Sequence, residues 1–123
     1  MKVHILDDWF DTLRGLPCFD KLAGHEVTVW TDHTVDVDLL AKRLAGADAI
    51  TLFRECTPVT GALLARLPHL KLISQRSVHP HVDVPACTAH GVLVCSNMGA
   101  GAASYAAAEM TLALMLAAVR QIP

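Results

Sequence analysis

The chain has 123 residues, 53% of them hydrophobic, with ten basic against twelve acidic side chains and a formal charge of -2. That length and apolar content suit one compact domain and leave no room for two large ones. The nearly even charge, without long runs, argues against nucleic acid or an anionic membrane as a partner.

Val3 to Leu6 predicts a first strand. After Asp7-Asp8, expected to be solvated caps of the next segment, an irregular helix carries Trp9, Phe10 and Leu13 until Pro17 interrupts it. Gly24 resets the chain, and Glu26 to Trp30 reads as a second strand. A helix from about Val37 to Leu44 puts Val37, Leu40 and Leu44 on one face, with Gly46 as its C-terminal cap. Ala49 to Phe53 is a third strand, and Thr60 caps a short helix through Leu63, Leu64 and Leu67 that Pro68 stops. Leu70 to Ser74 is a fourth strand. Pro85 suits the first turn of a small helix ending at Gly91, and Val92 to Cys95 is a fifth strand. Strands alternating with helices predict an α/β fold, a flavodoxin-like, doubly wound parallel sheet of five strands.

Small residues dominate from Gly99 to Ala108, and a final helix is expected from Ser104 to Gln121. Its large apolar residues, among them Tyr105, Met110, Leu112, Leu114 and Met115, surround the axis, which predicts a helix covered on every side. Leaving three or four of them exposed forfeits on the order of 5 to 10 kcal/mol, so a partner surface is expected. The longest apolar stretch, Met110 to Val119, is about half of the roughly 20 residues a membrane crossing needs. At the other end, Asp7 and Asp8 come too early for the apolar core of a signal peptide, which points to the cytoplasm.

Cys18, Cys56, Cys87 and Cys95 form no C-x-x-C pair and read as free, mostly buried thiols of a reducing compartment. His79-Pro80-His81 lies near Cys87 and His90, but without a companion pair at ligand spacing no metal site is expected.

Gly99-Ala100-Gly101-Ala102-Ala103-Ser104 has the setting of a dinucleotide loop, ahead of a helix whose N-terminus welcomes phosphate. Ser104 stands in place of the third glycine or alanine, and the next strand, with the acid expected about 20 residues on, would lie beyond Pro123, so a hinge is the favoured reading. Asp7-Asp8 suggests the magnesium site of a phosphorylation receiver, yet Arg54-Glu55-Cys56-Thr57 supplies no acceptor aspartate after strand three, and no lysine follows strand five. The remaining candidates are the loops at the carboxyl ends of strands three, four and five, expected to face one crevice, where open α/β sheets bind ligands. There Arg54 and Arg76, with free main-chain N–H groups, would suit a small carboxylate.

Three stretches, Leu67 to Ser74, Val82 to Val92 and Ala107 to Leu116, together with Asn97, resemble the D-isomer-specific 2-hydroxyacid dehydrogenases over most of the chain. The resemblance implies a substrate-binding domain, residues 1–98, followed by the hinge and first helix, 99–123, of a Rossmann-type domain for NAD or NADP. Hydride would pass between C2 of a 2-hydroxyacid or 2-ketoacid and the nicotinamide. It further implies that main-chain amides of Arg54, Glu55, Ser77 and Val78 hold the substrate carboxylate. Asn97 matches an asparagine that polarises the substrate in formate dehydrogenases, and Ser104 falls where many members have a threonine near the cofactor. The family's glycine-rich turn after strand four is replaced here by Gln75 to His81. Its catalytic arginine, glutamate and histidine would lie past Pro123, so these 123 residues are expected to be inactive alone and to self-associate, as a dimer or larger, through the helix 104–121. The alternative is a stand-alone flavodoxin-like module that binds a small molecule or dimerises without catalysis.

Overall fold

In the computed structural model, which describes residues 1–97 and 105–122, five four-residue strands run side by side in the order β2-β1-β3-β4-β5. They are β1 (Lys2–Ile5), β2 (Glu26–Val29), β3 (Ala49–Leu52), β4 (Leu72–Gln75) and β5 (Leu93–Ser96), and every neighbouring pair is parallel. This is the expected α/β architecture. Strand order reverses between β1 and β3, so the crevice where such sheets bind ligands opens at their carboxyl ends.

Parallel strands need crossovers, and three of the four connecting β1 to β5 contain helices: α1 (Val37–Arg43), α2 (Gly61–Leu64) and α3 (Val84–Ala89). Each begins at a side-chain cap. Asp36 accepts from the Leu39 N–H at 2.9 Å, Thr60 from Leu63 at 3.4 Å and Asp83 from Ala86 at 2.9 Å. Gly46, beyond the end of α1, has a φ of +77°, which a residue with a Cβ would adopt only under strain.

The first crossover departs from expectation. Trp9 and Phe10 lie in an exposed turn, followed by two 3-10 segments, Leu13–Gly15 and Pro17–Leu22. Pro17 opens the second segment instead of interrupting a helix, because a first-turn residue has no N–H bond to lose.

The core lies between the sheet and α1, α2 and α3. Ile50, Leu52 and Ile73 meet Leu40, Leu44, Leu63, Leu64 and Cys87, all essentially sealed from solvent. Burying each large side chain contributes about 1.5 to 3 kcal/mol. Cys87 is the one fully buried thiol among the described residues; Cys56 is half-buried, while Cys18 and Cys95 are exposed, on a surface 3-10 segment and on the sheet edge. The expectation of mostly buried thiols is therefore corrected.

Helix α4 (Ala106–Arg120) has no buried residue, and Met110, Leu112, Leu114, Met115, Leu116 and Val119 are between 60% and 79% exposed. It starts two residues later than expected, and the proposed hinge with Ser104 lies outside the described residues. Among the described residues no helix is long and apolar enough to cross a membrane.

Candidate functional site

A cleft of about 290 Å³ opens at the carboxyl ends of β3, β4 and β5, bordered by Thr51, Gln75, Arg76, Cys95 and Asn97. Its shape depends on Gln75, whose buried side chain donates from Nε2 to the Arg76 and Val78 carbonyls at 2.8 and 3.0 Å. The loop is wrapped around that amide. Ser77, at its apex, has a φ of +70°; its carbonyl accepts from Ser96 Oγ at 2.5 Å, and its N–H donates to the Asn97 side chain at 2.7 Å. Only Oδ1 can accept, so this bond fixes the orientation of the Asn97 amide and directs Nδ2, a donor, away from Ser77.

The β3 loop contributes differently. The Arg54 guanidinium lies 4.8 Å from the Trp9 ring centroid and 5.5 Å from that of Phe53, and among the described residues it has no ion-pair partner and its buried Nε no acceptor. The main-chain N–H groups of Arg54, Glu55 and Val78 also lack acceptors among the described residues, whereas that of Ser77 is committed to Asn97. The geometry thus brings Ser77, Val78 and Asn97 together. Arg54 and Glu55 stand on the adjacent loop without bonding to those three; the loops are stitched by Arg76 N–H to Leu52 O, 3.0 Å, and Val59 N–H to His81 O, 2.9 Å.

Buried polar atoms without a partner, among the described residues, are Arg54 Nε, Gln75 Oε1, His79 Nδ1 and both ring nitrogens of His81. They lie on the segment following β3, at the end of β4 and on the loop that follows β4. Burial holds the His81 imidazole below its ordinary pKa, with the Glu55 carboxylate opposing and His79 reinforcing that shift. No group of three or more His, Cys, Asp or Glu among the described residues could hold a metal ion.

Asp7 and Asp8, expected to be solvated, are each only 2% exposed. Asp8 does cap the following turn, accepting from the Thr12 N–H at 3.1 Å, Thr12 Oγ1 at 3.0 Å and the Leu13 N–H at 3.0 Å. Burial pushes its pKa up, but those bonds, led by Leu13, outweigh burial and leave it below the ordinary value. Asp7 adopts a φ of +62° and accepts from His33 Nδ1 and from Thr57 Oγ1, both at 2.8 Å. The available signal was position: a carboxylate directly after β1 stands at the strand-order reversal, where loops from both neighbours close over it.

The profile of the D-isomer specific 2-hydroxyacid dehydrogenase catalytic domain matches residues 5–119. The chain belongs to this family. It is 42% identical over 113 residues to D-3-phosphoglycerate dehydrogenase of Mycobacterium tuberculosis, covering 85% of this chain and 21% of that protein. With the Synechocystis D-3-phosphoglycerate dehydrogenase it shares 39% identity over 124 residues, again covering 21% of the relative. The crystal structure of a phosphoglycerate oxidoreductase from Vibrio cholerae superposes with a TM-score of 0.86 at 47% identity, covering 100% of this chain and 38% of that one. D-lactate dehydrogenase from Escherichia coli, at 20% identity and a TM-score of 0.72, shares the fold. This family member spans about a fifth of the length of these curated relatives.

Proposed function

We propose that this chain is the substrate-binding portion of an NAD-dependent oxidoreductase that moves hydride between a 2-hydroxyacid and a nicotinamide cofactor. The observation that carries the reading is the concentration of unpartnered polar atoms after β3, at the end of β4 and on the loop that follows β4. Leaving a buried polar group unpaired costs about 1 to 3 kcal/mol, and a ligand in the crevice would offset that cost. Arg54, Glu55 and Val78 offer free N–H groups for a carboxylate, and Asn97 Nδ2 offers a donor for the C2 oxygen. Ser77 acts by orienting Asn97. A phosphorylated hydroxyacid is the first substrate to test, given the names of the relatives.

The cofactor supplies or accepts the hydride. By the family resemblance, Ser104 would stand close to that cofactor. NAD and NADP are not distinguished by these residues. None of the described side chains is assigned as acid or base, so the 123 residues alone are inactive, and the protein is assigned to the cytoplasm.

The decisive experiment titrates the ¹⁵N-labelled chain with oxalate, which sets a carboxylate beside a second planar C–O group. Shifts confined to Arg54, Glu55, Val78 and Asn97 are expected. No shift there, or oxidation of NADH with a 2-ketoacid by this chain alone, overturns the reading. The exposed α4 favours a second reading, a self-associating module without catalysis, which predicts oligomers that ignore oxalate.

A further inference from the structure

The β3 loop that offers the Arg54 and Glu55 amides is weakly tied to the rest of the domain. From Arg54 to Thr57 no main-chain N–H finds an acceptor among the described residues. Its firm attachment is the buried Thr57 hydroxyl, which donates to Asp7 Oδ2 at 2.8 Å. The other Asp7 oxygen faces His33 Nδ1 on the β2–α1 loop, also at 2.8 Å. A carboxylate that only accepts pairs here with the His33 tautomer that has its proton on Nδ1. One buried carboxylate thus gathers the loops following β1, β2 and β3. Water does not compete there, since Asp7 is 2% and Thr57 1% exposed. The left-handed backbone of Asp7, φ +62°, is one that aspartate and asparagine tolerate better than most residues.

We propose that Asp7 is a positioning residue for the substrate carboxylate, acting through Thr57 on the Arg54 and Glu55 amides; this rests on the proposed binding of the carboxylate by those amides. Glu55 is only two residues from Thr57, and the chain beyond is fixed again by Val59 N–H on His81 O. The Asp7–Thr57 bond therefore sets where the free amides stand. The His33 bond holds the outer loop and does not reach them.

The test is oxalate affinity, followed by the amide shifts of the ¹⁵N-labelled chain. Thr57→Val removes the hydroxyl and keeps the shape; it should weaken binding about tenfold, the equivalent of one charge-assisted hydrogen bond. Thr57→Ser should restore it. Asp7→Asn, which keeps an acceptor for Thr57 and the left-handed backbone, should bind nearly as the parent does, whereas Asp7→Ala should lose affinity as Thr57→Val does. His33→Gln separates positioning from general support, because it breaks only the outer tie and should leave affinity near the parent's. Imidazole ¹⁵N shifts should report His33 protonated on Nδ1 in the parent. Parental affinity in Thr57→Val overturns the inference and leaves the functional reading standing, as does an equal loss in His33→Gln. Failure of the parent to bind oxalate overturns both. If Asp7→Ala does not fold, the two Thr57 variants decide the matter.

Discussion

Leu112, Met115, Leu116 and Val119 follow one another at helical spacing and make one apolar stripe on α4, each 60% to 79% exposed. A fifteen-residue helix without tertiary contacts is marginal in water, because nucleation costs a factor of roughly 10⁻³. Covering the exposed part of four such side chains is worth about 1 to 2 kcal/mol each, on the order of 10 kcal/mol for a symmetric pair of helices. Association itself costs an estimated 4 to 15 kcal/mol. Near the lower end of that cost about 4 to 6 kcal/mol remains, which corresponds to a dissociation constant between roughly tens of micromolar and a millimolar. Helicity and dimerisation should therefore rise together with concentration. Sedimentation velocity and far-ultraviolet circular dichroism should follow this, with amide exchange reporting α4 directly. Leu116→Glu removes about 2 to 4 kcal/mol per dimer and sets two carboxylates in the seam, so it should abolish both changes. A monomer at high concentration with α4 amides protected from exchange would refute the reasoning, as would a Leu116→Glu chain that associates like the parent.

Gln75→Leu deletes two donated hydrogen bonds, worth about 1 to 3 kcal/mol, but also removes the unpartnered Oε1. A thermal melt should show a loss of about 1 kcal/mol, with oxalate shifts at Val78 diminished; a raised Tm would mean that the orphaned oxygen outweighs the brace. Asn97→Asp keeps an acceptor for the Ser77 N–H and loses the Nδ2 donor, so the free-chain Ser77 amide shift should persist while oxalate affinity drops. Unchanged affinity would remove Asn97 from the site. The Asp8 carboxyl is held below its ordinary 3.8, so its contribution is present above that value and is lost as pH falls through the lower, folded value. Chemical denaturation at stepped pH should show stability falling below about pH 4, with Asp8→Asn less stable at neutrality and flatter in acid.

Local signals made the scaffold legible. Thr60 and Gly46 were readable because a cap or a positive φ is decided within a few residues, and five strand positions followed from short apolar runs between such marks. The first crossover was not readable, because Pro17 suits a first turn as well as a stop. Asp7 was misread for a different reason. Its partners, His33 and Thr57, lie 26 and 50 residues away, and a carboxylate that looks solvated in sequence is buried once the two loops meet over it. Ser77 shows the same limit, since its positive φ is held by Asn97, twenty residues on.

Two kinds of unmet surface meet along one stretch of chain. The segment after β3, the end of β4 and the loop that follows it hold buried polar atoms without partners, and α4 holds apolar side chains without cover. Asn97, held by the Ser77 N–H, is the last described residue before the segment that leads to the second. The proposed substrate contact and the exposed helix are therefore close neighbours in sequence.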